Sequence, residues 1–240
     1  FADGVYSMYG DFAPMDDLKY LLDKYEQLHL YLDDAHGIGW AGQNGVGYVK
    51  SKLDHHERLY VAGSMAKSFG ASGGILVFPN QEMRQRVRTC GGTMIFSGPL
   101  QPGTLGAAIA STKIHLSDEL PVLQNQLLGK IRFFNQMCKD LNLGLMDDSV
   151  SPIRFIHIGE PELATTLASR LKAMGLYVNI AIYPSVPYKN CGLRITLTNH
   201  LKINDIARLL QAIEKQIPFA KEEVRLAASK QKQAFELSLV

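Results

Sequence analysis

Three short apolar runs separated by glycine constrain this chain more than any other feature. Residues 28–32, 59–62 and 75–78 are too short for buried helices and alternate too little for half-exposed strands, so they read as buried strands. Glycine-rich loops at residues 37–47 and 70–74 separate them. Ahead of the first run, Leu18, Leu21, Leu22 and Tyr25 recur at helical spacing over residues 14–27, and Pro14 sits where a missing N–H costs nothing. Helix, buried strand, glycine loop, buried strand is the pattern of an α/β fold, a mostly parallel sheet with helices on its faces. Such sheets bind ligands at the carboxyl ends of their strands, where these loops fall.

Beyond Pro99 the texture changes. Residues 103–116 and 120–143 read as two long helices, the first rich in small residues (Ala107, Ala108, Ala110) and the second amphipathic. Apolar runs at 153–158, 176–182 and 193–197 then alternate with helical stretches at 161–174 and 203–217, a second and smaller α+β unit. The expected division is residues 1–116 and 117–240, with a tail from 219 of helical propensity. The chain opens on Phe1 without an initiator Met or targeting pattern, like a strand already under way, which leads us to expect a partial sequence.

Composition narrows the function classes. A formal charge of +2 argues against a nucleic-acid-binding stripe or a polybasic membrane arm. No apolar run of about eighteen residues exists to form a spanning helix. Cys90, Cys138 and Cys191 are odd in number and far apart, which fits no disulfide framework or paired-cysteine metal site and suits a reducing, cytoplasmic setting.

Two segments carry candidate chemistry. In Ser64-Met65-Ala66-Lys67-Ser68-Phe69-Gly70, a lysine directly follows a buried strand. Partial desolvation there would lower its pKa and free the amine for Schiff-base chemistry, although from the lysine alone a loop lysine reaching water is the favoured reading. In Leu32-Asp33-Asp34-Ala35-His36-Gly37, two carboxylates and a histidine end a strand. Adjacent strand residues point to opposite faces, so at most one of the aspartates faces a site with His36, and a buried one needs a cation or a donor. Capping by an aspartate and packing of the histidine are the bland alternatives. No metal site is expected: Asp33 and His36 lack further ligands at suitable spacing, and His55-His56 lies in a polar loop. Gly37-Ile38-Gly39-Trp40-Ala41-Gly42 matches the dinucleotide fingerprint formally, but Gly45 and Gly47 keep the segment a loop rather than a helix start. Its glycines are expected to let backbone pass close to a planar ligand or a partner chain.

The ordered set D-D-A-H-G-x-G, S-x-x-K-S-F-G-x-x-G-G, I-F-S-x-x-x-x-P and L-R-I-T-L-T resembles the α-oxoamine synthases, fold-type-I enzymes that use pyridoxal 5′-phosphate (PLP). The resemblance runs from residue 4 to about 217. It implies the carboxyl-terminal part of the PLP-binding large domain followed by the small domain. The family's upstream part supplies a phosphate loop and a histidine stacked on the cofactor ring. By resemblance, Lys67 binds the cofactor covalently, Asp33 salt-bridges its pyridine nitrogen, and His36 and Ser7 lie at its phenolic oxygen. Ser64 lies near the phosphate, Ser97 reaches the phosphate of the second subunit of a homodimer, and Arg194 binds the carboxylate of an amino-acid substrate. The implied reaction joins a small amino acid to an acyl-CoA with loss of carbon dioxide. Gly98 and Gly192 depart from the Ser-Thr pair and the second arginine of many members, which bears on finer contacts. An aminotransferase of the same fold would use the same lysine and aspartate but usually carries tyrosine at the position of His36. An inactive scaffold relative is the other alternative.

Overall fold

The computed structural model describes residues 1–237 and separates into two compact units. The first comprises residues 1–7 and 11–125. Its sheet has the order β1 (Ala2–Asp3), β2 (Leu30–Asp33), β3 (Leu59–Ser64), β4 (Gly74–Val77). The first three strands are parallel, with Asp3 opposite Asp33 and Asp33 opposite Ala62, and β4 runs antiparallel to β3. Their carboxyl ends therefore fall on one edge of the sheet.

Helix α1 (Met15–Lys24) starts after Pro14 and carries Asp16 and Asp17 in its first turn and Lys24 in its last, matching the helix dipole. It buries Met15 and Leu22 against Leu30, Leu32, Leu59 and Val61, with Val49 and Leu53 from the short helix α2 (Tyr48–Lys52) and its end. The expectation that residues 28–32 are buried on both sides needs correction: Leu30 and Leu32 are buried while Tyr31 between them is exposed, because only one face of β2 is covered. Likewise β4, expected buried, leaves Leu76 and Val77 exposed. Further along come α3 (Gln81–Cys90), α4 (Gly92–Ile95), α5 (Pro102–His115) and the start of α6 (Glu119–Asp140). Helix α3 buries no residue and is marked only by Asn80, whose side chain accepts the Met83 N–H at 2.9 Å.

The second unit comprises residues 8–10 and those from 126 onward. Its antiparallel sheet has the order β5 (Ile153–Gly159), β7 (Cys191–Thr196), β6 (Asn179–Ala181), so the run at 176–182 contributes only three strand residues. Helices α7 (Pro161–Ala173) and α8 (Ile203–Leu237) pack with the main part of α6 around Phe134, Ile156, Leu167, Leu171, Leu193, Leu210 and Ile213. The expected end of α8 at 217 is overturned: the helix continues through Pro218, because its buried stripe of Ile206, Leu210 and Ile213 extends to Ala220. Arg170 clamps the two sides of that proline, donating to Gln216 at 2.8 Å and Glu223 at 3.0 Å. The last three residues of the expected helical tail lie outside the described residues. Gly10 belongs here too: it has φ 78°, and a Cβ on it would lie 2.2 Å from the Ile153 carbonyl oxygen, so no other residue fits. No helix among the described residues is long and apolar enough to cross a membrane.

Candidate active site

Two loops at the carboxyl edge of the first sheet meet. The loop after β2 carries His36 and the loop after β3 carries Lys67, whose Nζ lies 2.9 Å from His36 Nε2. Parallel pairing of β2 with β3 is what brings them together, since it sets both strand ends at the same level. The loops are stitched further: the Ser68 hydroxyl donates to the Ile38 carbonyl, and the Trp40 indole N–H donates to the His36 carbonyl at 2.6 Å. Gln124 donates to the Trp40 and Gly42 carbonyls at 2.9 and 2.8 Å.

The two adjacent aspartates separate as strand geometry requires. Asp33 is exposed at the end of β2, and its Oδ1 accepts the Ala35 N–H at 2.8 Å. Asp34 is wholly buried, and its Oδ2 accepts the Val49 N–H at 2.9 Å. Burial pushes the Asp34 carboxyl up to about 7, with the nearby Asp33 charge adding to the rise and the Val49 and Tyr48 N–H groups opposing it. Its Oδ1 is buried without a hydrogen-bond partner.

Two glycines of this loop make room for a neighbour inside the chain. A Cβ on Gly37 would lie 2.1 Å from Asp34 Oδ1, and one on Gly47, which has φ 103°, would lie 2.2 Å from Asp34 Oδ2. Within this chain the close approach they permit is to the Asp34 carboxyl. The segment forms turns and one short 3₁₀ turn, and α2 begins only at Tyr48, so the dinucleotide fingerprint has no helix to open.

Lys67 is exposed in this chain, as the loop-lysine reading has it, rather than desolvated by the strand before it. Its surroundings are electrostatic: Asp3, opposite Asp33 on β1, feels both Asp33 and Lys67. Burial first, then the charges of Asp33 and Asp11, raise the Asp3 carboxyl, and Lys67 partly offsets them. Sequence reasoning missed Asp3. The one available signal was its place at the end of an opening strand, which gains meaning only once β1 is paired beside β2.

The remaining predicted residues are more dispersed. Ser64 ends β3 and its hydroxyl accepts the Ala66 N–H at 3.1 Å. Ser7 lies in the turn after Val5, which bridges Phe12. Ser97 is exposed in the bend after α4. Arg194 belongs to the second unit, on β7 opposite Phe155 and Asn179, with its Nη1 3.4 Å from the Thr196 hydroxyl, and burial lowers its pKa. The structure thus joins Lys67 and His36 directly and sets Asp33 and Asp3 side by side.

Residues 1–213 match the aminotransferase class I and II family. The chain is 34% identical over 211 residues to 8-amino-7-oxononanoate synthase of Klebsiella pneumoniae (strain 342), covering 88% of this chain and 54% of that protein. A structure of serine palmitoyltransferase (SPT) with its PLP internal aldimine superposes with a TM-score of 0.83 at 25% identity, covering 92% of this chain and 55% of that one. The 8-amino-7-oxononanoate synthase of Francisella tularensis superposes with a TM-score of 0.78 at 26% identity, covering 91% and 62%. The chain spans about half the length of the curated relatives it matches. It belongs to the aminotransferase class I and II family, and within that family it resembles 8-amino-7-oxononanoate synthase.

Proposed function

We propose that this chain carries the cofactor-binding lysine and acid of a PLP-dependent α-oxoamine synthase, which condenses a small amino acid with an acyl thioester. The observation that supports this reading is the 2.9 Å contact of Lys67 Nζ with His36 Nε2 at the sheet's carboxyl edge, the edge that also carries the paired acids Asp3 and Asp33.

PLP offers four polar handles, and the donor set can be tested against them. A pyridine nitrogen calls for a carboxylate, a phenolic oxygen for an N–H or hydroxyl, an aldehyde for an amine, and a phosphate for hydroxyls and backbone N–H groups. Asp33, His36 with Ser7, Lys67, and Ser64 meet these needs in turn, so the residues fit the cofactor. Ser97 would serve the phosphate of a second copy in a homodimer. That arrangement accords with the exposed apolar side chains beside it, Met94, Ile95 and Phe96, the last 90% exposed. When bound, PLP supplies an electron sink for the negative charge that develops at the substrate Cα.

The chain's own residues would then act as follows. Asp33 keeps a proton on the pyridine nitrogen. Lys67 would take the Cα proton of the bound amino acid on Nζ and could donate it to His36 Nε2. Arg194 grips the substrate carboxylate with two parallel N–H groups, a geometry that lysine lacks. Bond formation from Cα to the thioester carbonyl carbon expels the thiol, and loss of carbon dioxide completes the condensation. The unpaired thiols of Cys90, Cys138 and Cys191 accord with a reducing, cytoplasmic setting.

The test is to add PLP, reduce with borohydride and map the peptides. The cofactor mass is expected on Lys67 and is lost in Lys67→Ala. With glycine, alanine or serine and an acyl-CoA, free thiol should appear in proportion to carbon dioxide. Keto acid without thiol release would mean an aminotransferase, which the histidine at position 36 argues against. A folded chain that takes no PLP at Lys67 would overturn the reading.

A further inference from the structure

Gln124 lies in the part of α6 that belongs to the first unit, and its side chain reaches the loop that carries His36. Nε2 donates to the Trp40 carbonyl at 2.9 Å and to the Gly42 carbonyl at 2.8 Å. Carbonyl oxygens only accept, so the amide nitrogen rather than its oxygen must face them. Both N–H groups of one side chain are spent on this loop. A glycine-rich loop is entropically costly to hold in one shape, so an anchor supplied from a helix has a physical reason to be there.

Two routes run from the anchored residues to His36. The Trp40 indole N–H donates back to the His36 carbonyl at 2.6 Å. That indole has a fixed seat: it stacks on Phe12 with centroids 6.4 Å apart, and Phe12 stacks in turn on Tyr48 at 4.4 Å. The second route is backbone. Ala41, which stands between the two carbonyls that Gln124 holds, donates its N–H to the Gly37 carbonyl at 3.1 Å and accepts the Gly47 N–H at 2.9 Å. We propose that Gln124 is a positioning residue. Its amide fixes Trp40 and Gly42, and through the indole and Ala41 it sets where the His36 imidazole meets Lys67 Nζ. The importance of that contact rests on the reading of Lys67 and His36 as the active site.

The test needs neither cofactor nor turnover. Gln124→Met keeps the length of the side chain and removes both donors. Amide hydrogen exchange in variant and parent, at one fixed pH so that no ionisation enters, compares the loop with the sheet beneath it. Protection of the Gly47 N–H should fall about fivefold, the equivalent of one hydrogen bond. Protection of the Asp34 N–H, which donates to the Ala62 carbonyl at 2.8 Å, should match the parent. The nuclear Overhauser cross-peak between the His36 ring and the Lys67 side chain, expected from their 2.9 Å contact, should weaken in the same variant. A loosened loop with an unaltered cross-peak would mean that Gln124 holds only the far end of the loop, and would overturn the proposal. An equal fall at Gly47 and Asp34, or no change at Gly47, would overturn it as well. If Gln124→Met does not fold, Trp40→Phe decides, since it keeps a stacking ring and removes the N–H given to His36: the cross-peak should weaken, and an unaltered one sinks the proposal. Failure of PLP to attach at Lys67 would defeat the proposed function and leave these readings standing.

Discussion

The second unit and residues 74–109 of the first handle their apolar side chains in opposite ways. In the second unit Phe134, Leu167, Leu171, Leu193, Leu210 and Ile213 are all fully buried, because α6, α7 and α8 each set an apolar stripe against the sheet or one another. Over residues 74–109 the chain leaves Leu76, Val77, Met94, Ile95, Phe96, Leu100, Leu105 and Ile109 exposed. Helix α5 is apolar around much of its circumference and buries only Ala108 and His115. Both regions spend residues of the same kind, and the difference lies in what stands opposite them. A helix that is apolar on every side needs cover on more than one face, and each Å² left in water forgoes about 25 cal/mol.

The sharpest break of this contrast is one truncation in the second unit. Phe134→Ala empties a site that is closed on all sides and should cost about 3–5 kcal/mol. The urea midpoint of the second unit reads that loss directly. A cost under about 1 kcal/mol would mean that this core is not packed as described.

Asp34 supplies the next effect, and its sign can be worked out. Its folded pKa is about 7 against 3.8 for the ordinary carboxyl, so the folded state binds a proton that the unfolded chain has already lost across that interval. The group's stability contribution is thus fully present below about pH 4 and is lost as pH rises through about 7. Asp34→Asn keeps an oxygen for the Val49 N–H and cannot ionise. The substitution should flatten the stability profile between about pH 4 and about pH 7 and raise stability at pH 8 by on the order of 2–4 kcal/mol. Parallel urea titrations at pH 5 and pH 8 check it, and an unchanged slope would show that Asp34 does not carry the dependence.

How much of this was legible beforehand follows the same divide between local and non-local physics. Helices α1, α5, α6 and α7 fall close to the expected ranges, because each carries a local signal of apolar spacing or an initial proline. Helix α3 escaped, since it buries nothing and leaves no periodicity to read. The helix ending at 217 and the helical tail from 219 were expected as separate stretches and form one helix, because a buried stripe continues past Pro218 to Ala220. In the candidate site, Lys67 and His36 stood out as polar groups placed just after apolar runs, while their roles come from the family resemblance alone. Asp3 did not stand out, because its weight comes from a register with Asp33 that only the folded sheet defines.

The smallest expected effect tests the uncovered region. Phe96 is 90% exposed, so Phe96→Ser removes no packing within the chain. Its stability in dilute solution should stay within about 0.5 kcal/mol of the parent, against the several kcal/mol lost at Phe134. If a second copy covers this face, as the proposed role of Ser97 requires, the same substitution strips a large apolar contact from the interface. Sedimentation at increasing concentration should then show a dissociation constant at least about tenfold weaker than that of the parent, roughly the share of one buried aromatic side chain. Equal self-association of the two proteins would mean that no second copy covers this face, and a substantial loss of monomer stability would mean that Phe96 is covered from within the chain and that the contrast with Phe134 does not hold.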